Sequence, residues 1–313
     1  MEVENEQILQ HDQIIDQNQF NLLPVDTILT AQQLLEQEKQ FQNVISTGVQ
    51  KFDQILGGGI LVGYISEIYG EAGSGKTQFG INSVLNSVIT YDQNGNKQFN
   101  GSGVYISFRK DVNQKRLEQL HETFKRQNNL GESVNFLEQN QVQFVNLLKF
   151  QDFIDFIEKS LENCLQQGNF KILVIDEIAN LIREEFSEKQ YHEKQNFISQ
   201  FILKMKILAH KYAFAVLIIN SVVSDAENRN TDSGKQKLLP AIGAFWTSQL
   251  NERFKISREE RKEVYINQEQ QLQKQYFQDQ NKNQIIKRQL KVKFSPRLQR
   301  QSVSFTIDNE GFQ

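Results

Sequence analysis

The sequence predicts an α/β domain whose central sheet is mostly parallel, flanked by helices and extended at its C-terminal end by antiparallel strands. Three observations predict this fold class. Segments with strand character alternate with segments of helical period through most of the chain, as in parallel sheets. Residues 171–176 and 214–220 are near-continuous apolar runs, as expected of strands buried on both faces. The last quarter changes character, and we interpret residues 246–257, 286–294 and 303–307 as antiparallel strands.

The composition sets limits on function. The hydrophobic fraction of 38% and the net charge of −3 are ordinary values, so no global positive field indicates a nucleic-acid partner. Mean hydropathy is −0.54, and no apolar run approaches the roughly 20 residues that cross a bilayer, so we expect no membrane partner. The polar, acidic residues 1–10 lead us to expect no signal or transit peptide. Cys164 is the only cysteine, which excludes an intramolecular disulfide.

The predicted elements follow a regular order. A helix-forming stretch covers residues 27–40, and a short helix carrying Phe52 and Ile55 ends at the glycines of residues 57–59. Strands are then predicted at 64–69, 103–108, 142–146, 171–176 and 214–220, and helices at 76–90, 113–127, 152–166 and 193–212. We expect residues 1–45 to form an N-terminal arm and linker, and residues 46–313 to form the core. The charged, Gln-rich segment at about 258–284 is expected to be a flexible, solvated insertion.

A phosphate-binding loop is predicted at residues 70–77. They have the spacing G-x-x-x-x-G-K-T, follow a predicted strand and open a predicted helix, which is the context that this motif requires. Successive backbone N–H groups there can surround phosphate oxygens, aided by the positive end of the helix. We expect ATP with Mg²⁺ as the ligand; a glycine-rich structural turn is the alternative. The predicted nucleotide-binding residues are Gly70, Glu71, Ala72, Gly73, Ser74, Gly75, Lys76 and Thr77.

Two side chains are predicted to hold Mg²⁺. The Thr77 hydroxyl is one ligand, and Lys76 beside it is expected to reach the β- and γ-phosphates. A second anchor is needed at the end of a neighbouring strand, where Asp176 closes the apolar run of residues 172–175. A carboxylate that merely caps the end of a strand is the alternative interpretation of Asp176.

Several segments together resemble the RecA/RadA-type recombinases of eukaryotes. They are residues 46–48, 56–60, 65–70, 75–78, 173–176 and 216–220, and the resemblance spans about residues 27–313. Residues 28–34, 182–186, 240–250 and 294–298 are most similar to one paralogue group of that family. The resemblance implies a RecA-like P-loop NTPase core with Gln78 beside the nucleotide. It also implies that Arg116 stacks on adenine; a plain surface arginine is the alternative.

The resemblance further implies a function and partners. The function is homologous-recombination repair of DNA double-strand breaks in the nucleus, assisting the filament-forming recombinase on single-stranded DNA. The implied partners are another recombinase paralogue, that recombinase, and single-stranded or branched DNA contacted as part of a complex. Ile28 and Ala31 fall where the family's interprotomer motif buries an aromatic residue and an alanine against a neighbour's sheet edge. The alternative is that they only begin a linker helix.

Departures from the family pattern concern ATP hydrolysis. Arg109 stands where the family has the glutamate that orients the attacking water, and arginine stays protonated. Ser221 replaces a glutamine that senses the γ-phosphate. Glu177 is a candidate catalytic carboxylate, because other ATPase classes place one there; the alternative is a helix-start residue. Two hypotheses remain: a nucleotide-binding assembly subunit with weak hydrolysis, or an active DNA-stimulated ATPase that performs strand exchange itself.

Overall fold

A computed structural model gives the structure of the chain. It describes residues 44–92, 94–109, 114–131, 133–166, 168–187, 189–224, 238–240, 242–259, 286–308 and 310–313. Ile28, Ala31 and nearly all of the predicted N-terminal arm lie outside the described residues, as does the predicted insertion apart from its first two residues.

The described strands run from β1 to β13. They are β1 (Val44–Ile45), β2 (Ile60–Leu61), β3 (Ile65–Gly70), β4 (Ile89–Tyr91), β5 (Lys97–Phe99), β6 (Ser102–Ser107), β7 (Val142–Asn146), β8 (Phe170–Asp176), β9 (Ala215–Ser224), β10 (Leu238–Pro240), β11 (Glu252–Arg258), β12 (Arg288–Phe294) and β13 (Ser302–Phe305).

The described helices are α1 to α8. They are α1 (Gln50–Ile55), α2 (Lys76–Asn86), α3 (Gln114–Gln127), α4 (Phe150–Asp155), α5 (Leu161–Gln166), α6 (Ile178–Glu185), α7 (Tyr191–Tyr212) and α8 (Ala244–Gln249). A π-helical turn, Phe156–Ser160, joins α4 to α5, so the helix predicted at 152–166 is present but interrupted. Among the described residues, no helix combines the length and the apolar character that crossing a membrane requires.

Within the described residues, the central sheet has nine strands. Its order is β13-β12-β11-β3-β9-β8-β6-β7, with β10 pairing β9 outside this path. The six strands from β11 to β7 are mutually parallel, whereas β12 and β13 are antiparallel at one end. This arrangement confirms the predicted fold class. In open α/β sheets of this kind, ligands bind outside the carboxyl ends of the parallel strands.

Side chains of β8 show how the sheet is buried. Ile172 and Val174 belong to one apolar cluster, which includes residues of α2 and α3. Leu173 and Ile175 point to the opposite face, where residues of α4 to α8 form a second cluster. All four side chains are fully buried, which explains the continuous apolar run in the sequence.

Two predicted elements were wrong in their bounds. Trp246 was predicted to begin a strand, but it lies in α8, and β11 begins only at Glu252. β11 is also parallel to β3 on one side, while it pairs antiparallel with β12 on the other. The helix predicted to reach residue 90 ends at Asn86, and the hairpin of β4 and β5 follows. Tertiary packing accounts for Trp246, because its buried indole donates a hydrogen bond to Glu67 of β3.

Candidate nucleotide site

The phosphate loop connects β3 to α2, as the motif requires. Every residue of β3 is buried, and α2 begins at Lys76. Gly73 and Gly75 have left-handed backbones, with φ of 69° and 110°. A Cβ on Gly70 would lie 1.9 Å from the Ile256 carbonyl oxygen, so only glycine fits there. These positions explain why the loop has glycine at its start and within its turn.

Lys76 is buried against the loop. Its Nζ donates hydrogen bonds to the carbonyl oxygens of Gly70 and Glu71, both at 2.8 Å. Burial lowers the pKa of the Lys76 ammonium, and the nearby carboxylates of Glu177 and Asp176 raise it in part. The Ser74 Oγ is also buried and has no hydrogen-bond partner. A buried cation and a free hydroxyl at a helix start suit an anionic ligand.

Thr77 and Asp176 meet as predicted for a cation site. The Thr77 hydroxyl donates to Asp176 Oδ2 at 2.9 Å, and the Tyr105 hydroxyl donates to the same oxygen at 2.6 Å. Burial raises the pKa of the Asp176 carboxyl, whereas these two hydrogen bonds lower it in part. Asp176 Oδ1 is buried without a partner. An unsatisfied carboxylate oxygen beside a hydroxyl fits Mg²⁺, which prefers oxygen ligands.

Arg116 lies beside the start of α2. Its Nη2 donates to Gln78 Oε1 at 2.8 Å and to the Asp308 carbonyl at 3.0 Å. The structure therefore brings together Arg116 and Gln78, two of the residues that the resemblance implied. Asp308 was not found by sequence reasoning, since it lies in the C-terminal segment about 190 residues away. That segment also contacts the loop, because a Cβ on Gly75 would lie 2.6 Å from Ile307 Cδ1.

Arg109 and Glu177 form an ion pair, which sequence reasoning did not foresee. Arg109 Nη2 donates to Glu177 Oε1, and Asn180 Nδ2 donates to Glu177 Oε2 at 2.7 Å. Glu177 has φ of 71°, a costly backbone for a residue with a side chain. Its N–H donates to the Ile219 carbonyl at 2.8 Å, which fixes it to β9. Glu177 is also the N-cap residue of α6, as the helix-start alternative expects, and its role as a catalytic carboxylate stays a prediction.

Ser221 lies within β9, opposite Gly70 of β3 in the parallel register. The position of the missing glutamine is therefore at the edge of the phosphate loop. Asn220, one residue earlier, donates to the buried Glu67 carboxylate at 2.7 Å and accepts from the Ala179 N–H at 3.3 Å. The strand that carries Ser221 is thus fixed to both β3 and α6.

A comparison with protein families agrees with this geometry. The family model described as Rad51 matches residues 38–272. The chain belongs to the Rad51 family. This confirms the resemblance to RecA/RadA-type recombinases, and the match covers both the phosphate loop and Asp176.

Curated relatives of this Rad51-family chain carry the names of DNA repair proteins. The chain is 27% identical over 289 residues to the DNA repair protein XRCC3 homolog of Arabidopsis thaliana, covering 85% of this chain and 91% of that protein. It is 24% identical over 299 residues to mouse DNA repair protein XRCC3, covering 91% and 80%. Human DNA repair protein RAD51 homolog 2 is 26% identical over 230 residues, covering 67% of this chain and 59% of the relative. The expected similarity to one paralogue group, that of XRCC3, is confirmed.

Proposed function

We propose that this chain is an ATP- and Mg²⁺-binding recombinase paralogue that acts in homologous-recombination repair of DNA double-strand breaks. In this proposal it assists assembly or stability of the recombinase filament on single-stranded DNA. It acts in the nucleus, bound to another paralogue and contacting single-stranded or branched DNA as part of a complex. The DNA repair names of the relatives in plant, mouse and human support this role.

We assign nucleotide binding to residues in and around the phosphate loop. Backbone N–H groups of residues 73–77 and the Lys76 ammonium would bind the phosphates. Thr77 and Asp176 would hold Mg²⁺, which supplies positive charge at the phosphate oxygens when bound. Arg116 would lie along the adenine. The unpartnered Asp176 Oδ1 and Ser74 Oγ support this assignment, because both are buried polar atoms that a bound ligand would satisfy.

The single observation that favours slow turnover is the Arg109–Glu177 ion pair. A general base must offer a free oxygen to the attacking water. Both oxygens of Glu177 already accept hydrogen bonds, one from Arg109 and one from Asn180. Arg109, at the position of the family's glutamate, stays protonated and cannot take a proton. We therefore propose that the chain holds ATP as a structural brace rather than hydrolysing it quickly.

The second candidate function is an active DNA-dependent ATPase that performs strand exchange itself. The position of Glu177 favours it, because this carboxylate is buried at the carboxyl end of β8, directly after Asp176. Rotation of Arg109 away from Glu177 would expose a carboxylate at the reaction centre.

ATP turnover of the purified protein, with and without single-stranded DNA, separates the two functions. We expect slow turnover that DNA does not stimulate, and ATP binding that Lys76→Ala abolishes. The matched control is Glu184→Gln, an exposed carboxylate on α6, which should leave both properties unchanged. DNA-stimulated turnover that Glu177→Gln removes, but Glu184→Gln does not, would contradict the assembly role and establish the second function.

Ile28 and Ala31 are proposed as the contact with the partner paralogue. We expect Ile28→Asp combined with Ala31→Glu to lose the partner in co-purification from cells, because charge does not enter apolar pockets without a large cost. Nucleotide binding by the purified variant serves as the internal control and should be retained. Co-purification of the same partner in undiminished amount would refute this contact.

A further inference from the structure

The Arg109–Glu177 pair lies at the same end of the sheet as the phosphate loop. β6 and β8 are neighbours in parallel register, with Ser107 opposite Asp176. Arg109 follows β6 by two residues and Glu177 follows β8 directly, so their side chains meet beyond the strand ends. The Arg109 N–H also donates to Ser107 Oγ at 3.2 Å, which anchors the start of its loop to the strand.

The two members of the pair differ in exposure. The Glu177 side chain is 6% exposed, whereas the Arg109 side chain is 49% exposed. The carboxylate is therefore fixed inside the protein, held by Asn180 on one oxygen and at its backbone by β9. A guanidinium has five N–H donors in a planar fork, so Arg109 can keep Glu177 and still bind a second anion.

Contacts link this pair to the phosphate loop. The hydroxyl of Thr77 donates to Asp176 Oδ2 at 2.9 Å, and Glu177 follows Asp176 directly. The pair of Arg109 and Glu177 therefore lies beside the phosphate loop. The Arg109 side chain is about half exposed, so N–H groups that do not contact Glu177 face solvent. They can donate to a phosphate oxygen while the contact with Arg109 keeps the buried Glu177 carboxylate paired.

We infer that Arg109 contacts the terminal phosphate of a nucleoside triphosphate and that Glu177 positions the Arg109 side chain for this contact. The pair thereby determines the preference of the site for a nucleoside triphosphate over a diphosphate. The inference rests on the proposed nucleotide-binding function. It gives Arg109 and Glu177 a joint role in binding, which differs from the role of Glu177 as a base. An arginine supplied by the same chain at a phosphoryl centre has physical precedent in other nucleotide-binding folds.

Isothermal titration calorimetry with two nucleotides tests the inference. ATPγS and ADP, each with Mg²⁺, are titrated into native protein and into Arg109→Ala, Arg109→Lys and Glu177→Gln. We expect Arg109→Ala to weaken ATPγS binding about 10- to 100-fold, the effect of losing a charge-assisted hydrogen bond. ADP affinity should change less than about 3-fold. Arg109→Lys should retain part of the preference, because its charge remains while the fork is lost.

Glu177→Gln distinguishes positioning from catalysis. We expect it to weaken ATPγS binding about 3- to 10-fold and to leave ADP binding unchanged, since a neutral amide orients Arg109 less strongly. The matched control is Lys149→Ala, an exposed cation after the neighbouring edge strand β7, which should change neither affinity.

Four outcomes overturn the inference in distinguishable ways. Equal weakening of ATPγS and ADP by Arg109→Ala, or no change in either, refutes the terminal-phosphate contact alone. Tighter ATPγS binding by Arg109→Ala would mean that the arginine blocks the site, which also refutes it. If native protein binds neither nucleotide, the proposed function fails together with the inference.

Discussion

Glu67 is the centre of a buried network beneath the phosphate loop. This residue of β3 is 1% exposed, and its Oε1 accepts from Asn220 Nδ2 at 2.7 Å and from Trp246 Nε1 at 2.8 Å. Its Oε2 pairs with Arg253 Nε at 2.7 Å, and the Arg253 guanidinium lies over the Tyr69 ring. The network joins β3, β9, α8 and β11. Any loss of charge balance there should lower the stability of the whole core.

The substitution Arg253→Met tests this expectation. It leaves a buried carboxylate with only two neutral donors. Breaking a buried ion pair by removing one partner costs about 3–5 kcal/mol. We expect about 3 kcal/mol, because Asn220 and Trp246 continue to donate. At about 2 °C per kcal/mol, the Tm should fall by about 6 °C. Urea unfolding can be followed by the fluorescence of Trp246, which is the only tryptophan of the chain.

Two further variants test whether the unpaired charge of Glu67 causes the destabilisation by Arg253→Met. The double variant Glu67→Gln with Arg253→Met should be more stable than Arg253→Met alone, because no buried charge remains unpaired. Lys255→Met, on the same strand, should change stability by less than about 0.5 kcal/mol. A cost of Arg253→Met below about 1 kcal/mol would refute the reasoning. A double variant whose loss equals the sum of the single losses would refute it as well.

Three further variants test the nucleotide site and its support. Burial raises the pKa of the Asp176 carboxyl above its usual 3.8. The protonated carboxyl therefore contributes to the stability of the folded state at low pH, and this contribution is lost as the pH rises through the raised pKa. Without nucleotide, Asp176→Asn should therefore be more stable than native protein near neutral pH, by a margin that shrinks toward about pH 4 in urea titrations; a margin independent of pH would contradict this. The same variant should lose the Mg²⁺-dependent part of nucleotide binding in calorimetry. Gly75→Ala should lower stability by about 1–3 kcal/mol and weaken nucleotide binding, because its φ is 110° and its Cβ would lie 2.6 Å from Ile307 Cδ1; unchanged affinity and unfolding midpoint would contradict it. Phe52→Ala should cost about 3–5 kcal/mol in urea unfolding, because this fully buried ring packs against three others, and a loss below about 1 kcal/mol would argue against that packing.

Much of the fold and part of the site could be predicted because the signals are local. The phosphate loop has a fixed spacing between a strand and a helix, and Asp176 ends a strand recognisable by its apolar run. Trp246 shows the limit of such reasoning. A single aromatic residue carries no reliable period, and Trp246 of α8 donates a hydrogen bond to Glu67, 179 residues earlier in the chain.

The sequence by itself determined the fold class, the phosphate loop, Asp176 and the departures at Arg109 and Ser221. Each of these depends on residue type, spacing or position along one element. Only the tertiary structure showed that Arg109, one of these departures, forms an ion pair with Glu177. Arg109 and Glu177 are separated by 68 positions, and they meet because β6 and β8 are neighbours in the sheet. Strand order depends on which apolar faces pack together in three dimensions. The local sequence around each strand therefore contains no signal from which this ion pair could have been predicted.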